Sequence, residues 1–598
     1  MPQSRLALIS MPWALYNRPS IQLGALKAYI EAEGEFAVDC FHPYLDVAAA
    51  LGTDIYTTIS DSSWAGEAVF SALLFTEKFA DAEQLFNKSL GHAPGPGKKR
   101  PLFAKTVNAV AEVCDQWLAG INWSDFQLIG FSVCFNQLLA SLYISQKIAS
   151  LDGAPPIVFG GSSCAGKLGQ SLLDNFRWLD FVVDGEGEKA LVGLLHHLSD
   201  KSSPLPERIH ARNRHPIPTP CPEIADLSSL PTPDFDHYYQ QLQRAFPDSP
   251  FNPVLPVEFS RGCWWNKCTF CNLNLQWHTY RNKTAEKMLE ELSTLCKRYQ
   301  SLDFTFCDNA LPVKEGRRFF ATMAEVEPDL RFFAEIRGTT SLESLKGFKK
   351  GGLDTIQVGI EALSTSLLKK MDKGVTAIEN LAIMKNALAA GIRLEGNLIV
   401  EFPGSTQDEV AETIDTLDYV FPFHPLAPAA FFLGHGSPVA CNQEEFGITA
   451  LLAHSKNKKL FPSNTLNSLT LLTSEYRGDR GKQKNRWQPV RKKIQAWQKF
   501  HKSRKQNQQP ALRYRDGSSF IMIWQEVPDA PPLRHKLTGV SRQIYLFCSQ
   551  IRSLDELQSQ FPAIKGPTIL AFIDQLCQKR LMFREQNRVL SLAIRQHN

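Results

Sequence analysis

The sequence predicts an α/β chain made of two successive strand–helix series and a small α+β module at the C-terminal end. Three observations predict it. Short apolar runs alternate with helical patterns and end in glycine turns across residues 1–203. The same alternation restarts at Pro256 and runs to about 440. The final stretch, 510–598, reads instead as helices followed by a β-ribbon.

In the first series, residues 6–10 (LALIS), 128–133 (LIGFSV) and 157–161 (IVFGG) read as buried strands, and 181–184 leads into Gly185-Glu-Gly-Glu188. Residues 20–33 form a helical pattern ended by Gly34. The pattern is that of an open, doubly wound, Rossmann-like sheet, which binds ligands beyond the carboxyl ends of its strands. Gly160, Gly161, Gly185 and Gly187 fall there, either as turn formers or where a ligand meets the backbone. Residues 204–255, rich in proline, read as a connecting segment. Residues 256–440 offer six strands, at 257–259, 302–306, 330–336, 355–360, 394–400 and 428–433, with helices such as 285–299 and 377–390 between them. Six units make a partial β/α barrel, with its chemistry at the carboxyl ends of the strands. Residues 441–509 read as a basic, helical extension. Between 477 and 505 there are twelve Lys or Arg against one Asp, with Trp487, Val490, Ile494 and Trp497 at helical spacing. That helix either packs through its tryptophans or offers a docking face to an acidic peptide. Residues 506–510 read as a linker. In 510–598 a strand at 520–524, helices at 541–550, 553–560 and 566–578, and a ribbon over 581–594 suggest a winged helix.

Composition narrows the function classes. A chain of 598 residues with 43% hydrophobic and 21% charged residues is globular and long enough for three or four domains. A net charge of +4 is too small for nucleic-acid binding by the whole chain. No apolar run reaches membrane-spanning length, and the N-terminal run is broken by Pro12, so neither a membrane span nor a signal peptide is expected. Thirteen cysteines spread over the chain fit reduced thiols, and the expected location is the cytoplasm.

The most specific motif is RGCWWNKCTFCNLN, residues 261–274. Cys263, Cys268 and Cys271 are spaced C-x4-C-x2-C, with Phe270 before the last. Three thiolates suit a [4Fe–4S] cluster that leaves one iron open for S-adenosylmethionine (SAM). With His278 they also suit a closed Cys3His zinc site. The residues downstream favour the cluster. Cleaving SAM requires polar groups at successive strand ends, and the chain supplies Asp308 and Asn309, Glu335 and Arg337, Gln357 and Glu361, and Asn397 in that order. A zinc site has no need of them.

With these residues in view, the chain resembles the radical SAM enzymes, and among them the cobalamin-dependent class with an N-terminal cobalamin-binding domain. It is similar, more narrowly, to the RiPP maturation radical SAM C-methyltransferases, which include the polytheonamide-type enzymes. The resemblance rests on MPWALYNRPSIQLGALKAYIE, GEAVFSALLF, FGGSSCAG and VDGEGE in the first series. In the second it rests on SRGCWW, CTFCNLN, DNALP, AEIRG, IQVGIEALS, MDKG and FPGS. It implies a [4Fe–4S] cluster on the three cysteines, SAM held by Phe270 and the strand-end residues above, and cobalamin against Gly160, Gly161, Gly185, Glu186 and Gly187. It implies methyl transfer to unactivated sp3 carbons of a ribosomally made precursor peptide, a reductant such as flavodoxin or ferredoxin, and a leader sequence captured by the C-terminal module. A small-molecule substrate, with methyl transfer or rearrangement, is the alternative that uses the same cofactors. A zinc-containing winged-helix binding protein is the alternative outside enzymes. The chain departs from the resemblance in three places. Four residues separate Cys263 from Cys268, where the family has a longer insert and the superfamily three. Asn272 and Glu401 stand where glycine is usual. No D-x-H-x-x-G offers a histidine to cobalt.

Overall fold

The computed structural model describes residues 4–62, 64–91, 100–212, 223–248, 251–326, 329–504 and 509–596. Most of the linker expected at 506–510, and the proline-rich centre of the connecting segment, lie outside the described residues.

The first sheet runs Phe36–Phe41, Ser4–Ile9, Leu128–Ser132, Ile157–Gly160, Phe181–Val183 and Ile209–Ala211 in spatial order. Its first five strands are parallel and the sixth antiparallel. The chain moves outward from Ser4–Ile9 in both directions, so a crevice opens at the carboxyl ends of Ser4–Ile9 and Leu128–Ser132. Residues 204–255 do more than connect. Ile209–Ala211 extends the sheet, and helix Asp236–Ala245 covers its other edge. There His237 Nδ1 accepts from the Cys40 amide, while Gln241 accepts from the His42 amide and donates to the Cys40 carbonyl. Side chains thus satisfy an edge that would otherwise invite a foreign strand.

The second series forms a parallel arc: Leu255–Val257, Asp303–Phe306, Arg331–Ile336, Leu353–Val358 and Arg393–Glu395. A further parallel pair, Asn397–Val400 with Ala427–Ala430, joins through a bridge between Glu361 and Leu398. The expected fifth strand is therefore broken in two at Gly396, where a Cβ would stand 2.8 Å from the Val358 carbonyl oxygen. Along Arg331–Ile336, Phe332, Ala334 and Ile336 are buried beneath helices, while Phe333 and Glu335 face the half-open interior. Phe304, Phe306 and Phe332 stack in a row under Phe319 and Phe320 of helix Val313–Val326.

After the arc, Leu433–Gly434, Thr473–Arg477 and Ala450–Ala453 make a small antiparallel sheet. The turns between them carry Leu460, Phe461 and Leu466 into the core of the first unit, and Ser71 Oγ donates to the Leu460 carbonyl at 2.6 Å. The segment thereby spans from the arc back to the first sheet. The basic stretch forms helices Arg480–Arg486 and Gln488–Ser503. Trp487, Val490, Ile494 and Trp497 are fully buried, and the Trp497 indole donates to the Phe421 and Phe423 carbonyls. Arg486, Arg491 and Lys493 bind the arc through the Ser405 carbonyl, Glu401 and Asp418. Packing through the tryptophans accounts for the pattern.

At the C-terminal end, Leu512–Asp516, Phe520–Val527 and Ala530–Thr538 form an antiparallel meander. Helices Gly539–Phe547, Leu554–Gln560 and Gly566–Gln578 follow, then the ribbon Met582–Glu585 with Arg588–Ser591. Among the described residues no helix is long and apolar enough to cross a membrane.

Candidate functional site

The cysteine loop leaves and re-enters a two-residue antiparallel ladder, Ser260–Arg261 with Arg281–Asn282. Gly262 starts it with φ +81, and a Cβ there would lie 2.7 Å from the Thr279 carbonyl oxygen. The loop is fastened to the MDKG turn. The Thr269 amide donates to the Met371 carbonyl at 3.0 Å and the Trp265 indole to the Asp372 carbonyl at 2.7 Å. The Trp265 ring lies flat against Gly374, where any side chain would collide with it. Arg337 of AEIRG sits over the Trp264 and Trp265 rings, 5.0 and 4.7 Å from their centroids, and donates to the Lys373 carbonyl at 2.7 Å. Three motifs far apart in sequence thus meet around the three thiols.

Cys263, Cys268 and Cys271 are close enough to perturb one another. Burial pushes the Cys268 thiol up to about 11, Lys373 and Arg337 pull it down, and Cys271 and Cys263 add to the rise. Burial also raises Cys271, with Cys263 adding to it and Lys373 opposing. Among the described residues no three His, Cys, Asp or Glu groups converge on a point where one ion could sit. The His278 backbone amide donates to Glu223 at 2.7 Å.

The residues expected to hold SAM divide into three sets. Phe270, Glu335, Arg337, Gln357 and Glu361 gather beside the cysteines. Gln357 donates to Glu335 at 3.1 Å, and Lys373 lies 3.2 Å from Glu361 and over the Phe270 ring. Burial raises the Glu335 carboxyl to about 7, with Glu361 adding to the rise and Lys373 opposing it. Asn309 faces a separate large cavity. Asp308 and Asn397 serve the frame. The buried Asp308 carboxylate takes the Ser260 hydroxyl and the Phe259 amide, and burial pushes it up to about 7. Asn397 is exposed at the start of its strand, and its carbonyl accepts from the Glu361 amide. Lys373, within a motif noted above, was not singled out as a site residue. Its neighbours there say nothing of a loop a hundred residues away.

The cavity encloses about 940 Å3 between the first sheet, the cysteine loop and the 430–480 segment. Gly160, Gly161, Gly185, Glu186 and Gly187 line one wall. Asn272, Leu273, Leu275 and Trp277 line a second, and Phe432, His454 and Lys456 a third. Gly161 has φ +105 and a Cβ there would stand 2.8 Å from the Val133 carbonyl oxygen, so the turn itself demands glycine. Glu186 lines the wall, but its carboxylate is directed at Arg261 and Arg281. The Cys307 thiol, which no sequence pattern singled out, is exposed toward the cavity.

Comparison with known proteins agrees with this geometry. The Radical SAM superfamily family matches residues 257–417. Residues 257–417 are a radical SAM domain. Its match begins on the first strand of the arc and takes in the cysteine loop, the strand ends and the MDKG turn. The chain is 30% identical over 243 residues to an uncharacterized methyltransferase, PH0819, of Pyrococcus horikoshii, covering 40% of this chain and 52% of the relative. It is similar in fold to TsrM, a radical S-adenosylmethionine methyltransferase of Kitasatospora setae solved with tryptophan substrate and a SAM analogue. The TM-score is 0.54 at 14% identity, over 83% of this chain and 89% of that one. It is also similar to OxsB, a cobalamin-dependent S-adenosylmethionine radical enzyme solved with aqua-cobalamin and SAM. There the TM-score is 0.52 at 17% identity, over 74% of this chain and 56% of that one. The chain spans about half the length of the curated relatives it matches. The likeness in fold covers more of the chain than the radical SAM domain does.

Proposed function

We propose that this chain is a cobalamin-dependent radical SAM C-methyltransferase whose substrate is a ribosomally made peptide. The observation that carries the reading is the cavity, which the cysteine loop and the glycine turns of a doubly wound sheet line together. Cys263, Cys268 and Cys271 would hold the [4Fe–4S] cluster. Three thiols on one short loop, with the cations of Lys373 and Arg337 beside Cys268, suit the anionic sulfur ligands a cluster needs. Glu335, Gln357, Glu361 and Phe270 would surround SAM, and Gly160, Gly161, Gly185 and Gly187 would leave room for a corrin against the backbone. When bound, these groups would supply an electron, a reagent that removes a hydrogen atom, and a methyl carrier.

The protein's own part is placement and exclusion. The MDKG turn and the tryptophan pair fix the loop, and Leu273, Phe432 and Phe135 give the cavity apolar lining. We read 1–203 as the corrinoid unit, 256–440 as the radical SAM unit and 510–598 as a winged-helix module that captures the leader. A small-molecule substrate is the second reading, favoured by the tryptophan named as substrate of TsrM.

Anaerobic co-expression with a candidate precursor peptide separates the two. The peptide is expected to gain mass in steps of one methyl group. An unmodified peptide, with methylation of a free amino acid in its place, would establish the second reading. Replacing the three cysteines together by alanine is expected to abolish 5′-deoxyadenosine formation; cleavage that persisted would remove the cluster assignment.

A further inference from the structure

The turn Gly185-Glu186-Gly187 follows strand Phe181–Val183, and all three residues line the cavity. The Glu186 side chain extends from that wall into the base of the cysteine loop. Its Oε1 lies 3.0 Å from Arg261 Nη1 and 2.8 Å from Arg281 Nη1. Arg261 and Arg281 are register partners across the ladder from which the loop departs. One oxygen therefore grips both legs of the loop at once. Oε2 accepts from the Ile224 amide at 2.6 Å, tying the same side chain to the connecting segment. Arg261 is held further by Glu188 at 2.6 Å and Glu258 at 2.9 Å, and its guanidinium faces the Trp277 ring.

Two features distinguish this cluster from ordinary cement between units. It is buried: the side chains of Glu186, Glu188 and Arg261 are each 5% exposed, so removing one partner leaves an uncompensated charge out of water. It is also incompletely aligned. Glu186 Oε1, Arg261 Nη1 and Arg281 Nε and Nη2 are buried without a hydrogen bond, although the Glu186 contacts are at ion-pair distance. Buried polar atoms in folded proteins are nearly always hydrogen-bonded. Oε1, held by attraction without a directional bond, can change its angles to the two guanidiniums when the backbone on either side shifts, while Oε2 stays on the Ile224 amide.

We propose that Glu186 is a positioning residue that couples the two halves of the site, so that a corrinoid settling against Gly185 and Gly187 moves both legs of the cysteine loop through Arg261 and Arg281. The inference rests on the reading of the cavity as the cobalamin site. Coupling between two sites is reciprocal, so filling the cysteine-loop side also tightens the glycine turn. Glue alone would hold the loop equally whether or not the cavity is filled.

Hydrogen exchange tests the difference in the anaerobically reconstituted full chain with and without hydroxocobalamin. The informative segment is 263–270, none of which lines the cavity. In the unaltered chain, hydroxocobalamin is expected to slow exchange at 185–188 and, by about five-fold or more, at 263–270, the lower end of measured couplings. In Arg281→Gln, which removes the pairing from the loop side at a residue that does not line the cavity, 185–188 is expected to respond as before while 263–270 no longer does. Equal protection of 263–270 in both proteins overturns the proposal, as does protection of 185–188 alone in the unaltered chain. Protection of neither segment overturns the cobalamin reading and the coupling together. If Arg281→Gln does not fold, Arg281→Met, which keeps the side chain's length and removes its charge, is read identically.

Discussion

Lys373 joins groups that the sequence keeps far apart. Its ammonium lies 3.2 Å from Glu361, over the Phe270 ring, and beside the Cys268 thiol, whose ionised form it favours. Room for it exists because residue 359 is glycine: a Cβ there would collide with the Lys373 ammonium. Groups that orient the ligands of a metal centre typically change affinity or activity 10- to 100-fold when removed. Lys373→Ala is accordingly expected to lower 5′-deoxyadenosine formation by about 10- to 100-fold while iron content stays unchanged. Iron analysis beside a cleavage assay checks this; iron lost in proportion to activity would make Lys373 a residue of cluster retention instead. At this scale the sequence foretold proximity where chemistry fixes residue type: the cysteine triplet, and Glu335 with Gln357 and Glu361, gather in one place. It was illegible where a role depends on contact. That the Asp308 carboxylate accepts from the Ser260 hydroxyl cannot be read from its place in DNALP. Glu401, the departure from an expected glycine, has φ +68 and pairs with Arg491, a partner ninety residues later.

Among elements, the helix Leu138–Ala149 shows how a motif acts through packing. No side chain of its own caps its start; Glu67, from helix Ala65–Leu74, accepts the Leu138 and Leu139 amides at 3.1 and 3.0 Å. Beside it, Gly66 lets the Trp13 ring lie on that helix, so the MPW and GE segments of the sequence meet in space. Burial raises the Glu67 carboxyl to about 7, against the pull of the two amides. A carboxyl whose folded value exceeds its unfolded one near 4.5 contributes stability that is present at low pH and lost as pH rises through about 7. Glu67→Gln is expected to flatten that fall, so thermal unfolding of the two proteins should diverge between pH 5 and about 8, with the variant ahead at the upper end. Parallel curves would mean that Glu67 is charged throughout. Most strands of both series were legible, since buried parallel strands are continuous apolar runs. Ile209–Ala211 was not, because three residues at the edge of a sheet carry no period. The break at Gly396 was not, because it arises from the close approach of the Val358 carbonyl.

At the scale of the whole molecule, the C-terminal module shares one continuous core with the radical SAM domain, although the sequence reads as a separate unit after a linker. Lys385, on helix Ala377–Ala389, is one polar link in that contact, beside Arg580 with Asp418, Arg588 with Glu379 and Thr365 with Glu585. Lys385 is 4% exposed and donates to the Ser549 and Ser591 carbonyls at 2.6 and 2.7 Å. Burial pulls its pKa down from 10.5 to about 7, with the nearby Cys548 opposing. Between about 7 and 10.5 the unfolded chain then binds more protons than the folded one, so stability rises with pH across that window. Below about 7 the ammonium is charged in both states and the cost of burying it is felt in full. Lys385→Met fills the same space without charge and leaves two buried carbonyls unpaired, each costing about 1–3 kcal/mol. The unaltered chain is expected to gain thermal stability relative to the variant as pH is raised from 7 to about 9, and the variant to release 510–598 sooner under limited proteolysis. A difference that stayed constant with pH would show that Lys385 holds the module as a permanently charged donor. Unchanged proteolysis would show that the module is held by its apolar packing and its other ion pairs without need of Lys385.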